Sequence, residues 1–437
     1  MGKSLVKLAE VFGVSKDPVE SYIERPAVDD AFEQAIRETR QVIIYGSSKQ
    51  GKTALLQRHV PENQRITVHC GPATKVETIY RSILRQRGVE IVSERTSDTG
   101  REFSTGISAK FKALLPLLGS AESEAKGDIK SSSQNSETRK SIEFDLSVAQ
   151  DVGELLLQIS DDQPFYVLEN FHYLDNEVQT QFAFDLRTFE EMGIRFIILG
   201  VWRERNRLIQ YNGDLQDRIS EVPVEPWEIR DFERIANKGC QNLNIEIGQP
   251  LKDRIFEQAH GSVGVVQELL KKLCERSGVT QTQKQTFPIN EDTTLTAAIA
   301  DKVTDYQSRH VRSLESIAAG SRTRRPTEDT AALYLPYYLV VVMIHRNYHE
   351  LKDGIERKTL QGLIKDIHTT PDNVRTSDIT GMMKRLNKLQ ADAGIVPPLF
   401  DFDPGTRRLK VVDSTLYFFI DNCDPAEVID EIPRPDV

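Results

Sequence analysis

The stretch "VIIYGSSKQGKTALLQ", Val42 to Gln57, constrains this chain more than any other. An apolar run rich in β-branched residues, closed by glycine, reads as a buried strand. The "GSSKQGKT" that follows matches G-x-x-x-x-G-K-[ST] at every fixed position. Gly46 and Gly51 let the backbone N–H groups of Ser47, Ser48, Lys49 and Gln50 turn inward around phosphates. A helix starting at Lys52 adds partial positive charge at its N-terminus. In such a loop Lys52 reaches the β- and γ-phosphates and Thr53 ligates Mg2+. The motif therefore predicts ATP with Mg2+ as cofactor.

Four more apolar runs read as strands: "ITVHC" (Ile66 to Cys70), "FYVLE" (Phe165 to Glu169), "RFIILGV" (Arg195 to Val201) and "SEVPVEPW" (Ser220 to Trp227). Helical patterns separate them, which predicts a parallel sheet covered on both faces. Residues 1–40 read as helical. Between about 93 and 139 the composition shifts to Ser, Glu, Lys and Gly around "FKALLPLL", which reads as a partly mobile insertion. Residues 227–290 read as helices only, a small lid. "RSGVTQTQKQTF" and "GSRTRRPTEDT" read as linkers on either side of a helix near 293–316. From about 330 the order is helix, helix, helix and then the hairpin "PLFDFDPGTRRLKVVD", the order of a winged helix. The expected fold class is α/β: a P-loop NTPase parallel-sheet core (1–226), a helical lid (227–290), a linker helix (291–330) and a C-terminal winged-helix domain with tail (331–437).

Composition narrows the function classes. Formal net charge is −10, so any DNA contact must come from a local basic patch. "ALYLPYYLVVVMI" is shorter than the ~20 residues a membrane span needs and reads as a buried helix. The four cysteines are far apart without a CxxC pair, which fits a reducing cytoplasm and argues against a zinc site. No signal peptide is apparent.

"FYVLENFHYLD" supplies the second element of the site. An apolar strand ending in an acid places Glu169 to hold the metal through water and balance the phosphate charge.

With "GSSKQGKT", "YVLENFHYL", "IILGVWRE" and "DLQDRI", a helical lid and a winged helix, the chain resembles the AAA+/STAND branch of P-loop ATPases over roughly residues 20–421. Many ATPases of this additional-strand type carry a second acid where this chain has Asn170. An amide cannot accept a proton at neutral pH, so the resemblance implies slow hydrolysis. His172 is a substitute polar group or a structural residue. Arg203, just past the fourth strand, is implied as the γ-phosphate sensor. Arg218, ahead of the last strand, is either an arginine finger reaching a neighbouring subunit or a surface partner of Asp214 or Asp217. Arg25 and Val28 are implied as adenine contacts. The lid segment "AHGSVGVVQELL" lacks the arginine that many relatives place there.

Two relatives compete. STAND switches, NLR-like or antiviral, oligomerise with nucleotide state; here the effector or sensor would be a separate protein. Origin-recognition or Cdc6-like loaders and transposition regulators grip DNA through the winged helix. A nucleotide-stabilised scaffold is the third reading. At the C-terminal domain, Lys384, Arg385, Lys388, Arg407, Arg408, Lys410, Arg322, Arg324 and Arg325 form basic clusters, which one reading takes as contacts to several DNA phosphates. The competing reading is a latch docked on the nucleotide domain, with Ile379, Met382, Met383, Leu386 and Leu389 packed inward.

Overall fold

The computed structural model describes residues 5–38, 40–93, 110–115, 140–159, 163–320 and 333–434. A parallel sheet stands at its centre, built from β1 (Gln41–Tyr45), β2 (Arg65–His69), β3 (Phe165–Glu169), β4 (Phe196–Gly200) and β5 (Ile219–Pro223). The strand order is β2-β3-β4-β1-β5, every pair parallel. Thus β4 is inserted between β1, which leads into the glycine loop, and β3, which ends at Glu169. β1 and β4 are buried along their whole length, as their unbroken apolar runs require.

Helices α1 (Pro26–Arg37) and α2 (Lys52–His59) cover one face, where Phe32, Leu55 and Leu56 pack on Val42, Ile44 and Ile197. Helices Val76–Gln86, Ala149–Ile159 and Asn176–Glu191 cover the other, where Ile79, Leu155 and Phe182 join Ile43 and Ile198. At the base of the sheet the buried Gln41 amide donates to the carbonyls of Leu186 and Ile194 and accepts from Phe196 N–H. A fully bonded buried amide helps to fix the position of β1 against β4.

The first 40 residues depart from the helical expectation. Among the described residues there, only Leu8–Val11 and α1 are helical, because Gly13, at φ 114°, and Pro18 interrupt the chain. Leu8, Val11, Phe12 and Ile23 pack into the lid rather than onto the sheet. Within the expected insertion, Lys110–Leu115 is the middle strand of a three-stranded antiparallel sheet whose outer strands, Glu90–Ser93 and Lys140–Asp145, lie at its two edges; the rest of the insertion lies outside the described residues.

The lid consists of Ile229–Leu243, Gln249–Gln258 and α3 (Val263–Arg276). The segment expected as a linker instead ends in a strand, Phe287–Ile289, paired in parallel with Ile245–Ile247. The long α4 (Asp292–Ala319) leads to the C-terminal region, where Leu335–Ile344 is a buried helix. No described helix is long and apolar enough to cross a membrane. Helices Arg357–Ile367 and Thr376–Asp392 precede a hairpin, Phe400–Asp403 with Arg408–Val411, joined by Ile355–Glu356. The three expected helices and the hairpin stand in that order, with three helices that the sequence reading missed: Tyr348–Leu351, α5 (Ser414–Asn422) and Pro425–Glu431.

Candidate functional site

The loop from Gly46 to Gly51 leaves the carboxyl end of β1 and enters α2. Gly46 (φ 151°), Lys49 (φ 60°) and Gly51 (φ 87°) all have positive φ. At Gly46 a Cβ would lie 2.6 Å from Val224 Cγ2, so a larger residue would have to displace that side chain as well as adopt a strained backbone. Ser47, Ser48 and Gln50 are buried, while Thr53 is exposed. Lys52 folds back, its Nζ donating to the carbonyls of Gly46 (2.8 Å) and Ser47 (2.6 Å). Its ammonium is buried. Burial pushes it down to about 8, with Glu225 pulling the other way.

Beside the loop lies a cavity of about 220 Å3, lined by Lys49 to Leu55, the N-terminal segment around Tyr22 and Arg25, Trp227, and Val263 and Gly264 of the lid. Arg25 lies 3.5 Å from the Trp227 ring centroid and donates to Val224 O. Val28 does not line this cavity; it faces the sheet with Phe32 and Val42. An apolar wall at Trp227 next to a floor of loop N–H groups and a lysine suits a nucleoside phosphate. Glu169 closes β3, with its Oε2 3.1 Å from His69 Nδ1 on the neighbouring strand. Among the described residues no group of three or more His, Cys, Asp or Glu side chains is placed to cage a metal. Mg2+ does not need such a cage, because it keeps waters and substrate phosphates beside one or two protein oxygens. Thr53 and Glu169 are thus chemically suited to it.

Asn170 follows in the left-handed region at φ 61°, which asparagine tolerates better than most residues. Its carbonyl accepts from Tyr173 N–H and opens the turn Phe171–Tyr173. His172 Nδ1 accepts from Val201 N–H at 3.3 Å. Arg203, the expected sensor, is engaged elsewhere: its Nη1 donates to Lys352 O (2.8 Å) and Tyr417 Oη (3.3 Å) of the C-terminal region. Arg218 precedes β5 at the end of the sheet opposite the glycine loop. Its partners are Glu190 and Glu191, not Asp214 or Asp217.

The C-terminal region reaches the loop itself. Ser48 N–H donates to Val412 O at 2.9 Å, and Ser414 Oγ donates to Ser48 O at 2.9 Å. Ser414 Oγ also lies 2.8 Å from Ser262 Oγ, the N-cap of α3. Asp413 caps α5 and pairs with Arg309 of α4. Burial opposes its charge, but His310 and Arg309 outweigh that and hold the carboxyl below its ordinary range. Burial also lowers the Lys49 ammonium, which Asp413 partly offsets. From a third direction Glu225 Oε2 accepts the N–H of Ser47 at 2.6 Å.

No motif marks Glu225, Ser262, Val412 or Ser414; the folded chain alone brings them to the loop. The basic patch divides. Lys384, Arg385, Lys388 and Arg407 are exposed. Lys410 pairs with Glu204 at 3.0 Å, and Arg408 donates to Gly354 O. Arg322, Arg324 and Arg325 lie outside the described residues.

No family model matches the chain, and no curated protein matches it. Solved structures do. The Walker-type ATPase PABY2304 of Pyrococcus abyssi is 11% identical with a TM-score of 0.47, covering 92% of this chain and 96% of that one. The Aeropyrum pernix Orc1 protein, solved in complex with DNA, is 13% identical with a TM-score of 0.41, covering 99% and 98%. The Thermotoga maritima RuvB Holliday junction branch migration motor is 12% identical with a TM-score of 0.37, covering 91% and 92%.

Proposed function

We propose that this chain is an ATP-binding, slowly hydrolysing switch of the AAA+/STAND kind whose C-terminal region latches the nucleotide loop. One observation carries the reading: Ser48 N–H, a loop donor, is bonded to Val412 O of the C-terminal region. Together with Glu225 on Ser47 N–H and the fold-back of Lys52, it leaves the loop closed on protein acceptors. Phosphate oxygens would compete for these donors. A phosphate bound there weakens the latch, and a closed latch weakens phosphate binding by the same factor.

The residues then take the following roles. The N–H groups of Ser47 to Gly51 and Lys52 hold the phosphates, and Arg25 and Trp227 border the base. Thr53 and Glu169 hold Mg2+, which supplies charge neutralisation on the phosphates when bound. Asn170 orients but does not deprotonate, which keeps turnover slow. Arg203 tethers the latch through Lys352 and Tyr417, and its release would report the bound state. Glu204 with Lys410, and Arg207 with Asp401, brace the same seam. The open form assembles with copies of itself and signals to a separate effector. The resemblance to STAND switches makes bacterial antiviral defence or signalling the proposed setting.

A DNA-loaded regulator is the second reading, favoured by the exposed Lys384, Arg385 and Lys388 on one helix. Mass photometry separates the two. The protein is measured alone, with ADP, with ATP–Mg2+, and with ATP plus duplex DNA, beside Lys52→Ala. Assembly that needs ATP and Lys52 but not DNA supports the switch. Assembly that needs DNA replaces it with the loader.

A further inference from the structure

His172 is a half-buried residue with an enclosed ring nitrogen, Nε2, that the reading above leaves without a task. Its place follows from the sheet. Gly200, the last residue of β4, is in register with Tyr45, the residue before the glycine loop. His172 bonds to the next residue, Val201, so the ring stands level with the start of that loop, between the ends of β3 and β4. The bond also fixes the proton. Nδ1 accepts from Val201 N–H, so in the neutral ring the hydrogen sits on Nε2. Nε2 is buried and has no partner among the described residues. Burial, and then the Lys52 and Arg207 charges, keep the imidazole well below its ordinary range, so it stays neutral.

A buried donor without an acceptor is costly to the folded state and calls for an explanation. Near the loop the side chains of Lys52, Glu225 and Ser414 have protein partners, and Trp227 Nε1 is a second buried donor without one. Asn170, two residues before His172, is an amide and not an acid, in the left-handed region at φ 61°. We infer that His172 is a positioning residue whose Nε2–H donates to an oxygen of the terminal phosphate of a bound nucleoside triphosphate. The inference deepens the nucleotide reading and rests on it. A diphosphate lacks that oxygen, so His172 discriminates between the two nucleotides without changing its own charge.

Two substitutions divide the ring's functions. In His172→Asn the side-chain oxygen takes the place of Nδ1 and still accepts from Val201, but the outer donor is gone. In His172→Gln the amide nitrogen reaches the place of Nε2 and restores that donor. Dissociation constants for ADP and for a non-hydrolysable ATP analogue, both with Mg2+, are measured by calorimetry on the full chain. Lys52→Ala is the control, and melting curves check folding. The expected result is a loss of preference for the triphosphate analogue of roughly tenfold in His172→Asn, ADP affinity within about twofold of wild type, and recovery in His172→Gln. An unchanged affinity ratio in His172→Asn, in a protein whose binding depends on Lys52, overturns the inference alone. Equal losses in the Asn and Gln variants overturn it too, because the ring would then matter only for packing. If wild type binds neither nucleotide, or binds them equally well in Lys52→Ala, the nucleotide reading itself falls.

Discussion

The hydroxyl of Ser414 donates to the carbonyl of Ser48 at 2.9 Å, joining positions 366 residues apart. One end of the bond belongs to the glycine loop and the other to the first turn of α5. With Ser262 Oγ on the same hydroxyl, a single side chain ties together the loop, the lid and the C-terminal region. Four expectations follow from this closed arrangement.

Ser414→Ala removes the shared hydroxyl while leaving α5 capped by Asp413. Buried partners that lose a hydrogen bond cost about 1 to 2 kcal/mol. The variant is expected to unfold that much more easily and to exchange a fluorescent ADP several-fold faster in stopped flow. An unchanged exchange rate would show that the latch does not control access to the loop.

Glu225→Gln replaces a carboxylate on Ser47 N–H with a neutral group of the same shape. A carboxylate beside a polyphosphate repels it by about 1 kcal/mol in water and more at lower effective dielectric. Nucleotide affinity is expected to rise on the order of tenfold. Weaker binding by calorimetry would instead make Glu225 part of the nucleotide's own support.

Lys52→Met concerns the charge buried in the loop. Burial lowers this ammonium from 10.5 to about 8. At pH 7 the folded protein therefore carries the cost of a buried charge. Without nucleotide the methionine variant is expected to be more stable by about 1 to 3 kcal/mol in urea titrations. It should also lose any stabilisation that ATP–Mg2+ confers on wild type. Destabilisation would mean that the bonds to Gly46 O and Ser47 O outweigh the desolvation.

His310 links stability to pH. Burial lowers it from 6.5 to about 4, although Asp413 draws the other way. Between these values the unfolded chain binds a proton that the folded protein refuses. Stability is therefore full above about pH 6.5 and falls as pH drops toward 4, by up to about 3 kcal/mol from this residue. His310→Gln should flatten that part of a denaturant-midpoint profile between pH 7 and 4. Parallel profiles for the two proteins would assign the acid sensitivity to carboxylates instead.

The glycine loop was legible because its chemistry is local. Eight consecutive residues contain the turn, the lysine and the hydroxyl, and the strand before them is an unbroken apolar run. That Glu169 ends a strand was legible for the same reason, at the close of a second such run. Less legible were the partners of side chains that had a choice of them. Val28 turned into the core, Arg203 found Lys352 O and Tyr417, and Arg218 found Glu190 and Glu191. Asn170 read as a missing acid, whereas the folded chain adds a backbone reason for it, a left-handed turn at φ 61°.

By itself, then, the sequence determined the elements whose periodicity and turn chemistry lie within a few residues: the parallel strands, the glycine loop, the helices between 229 and 276, and the hairpin. The tertiary structure alone decided which surfaces close on that loop. Glu225, Ser262, Val412 and Ser414 reach it by long-range packing of the sheet, lid and C-terminal cores, and local residue patterns carry no record of which distant donor meets which acceptor. The physical reason is that a buried N–H must find some acceptor, but only the folded backbone specifies which one is within reach.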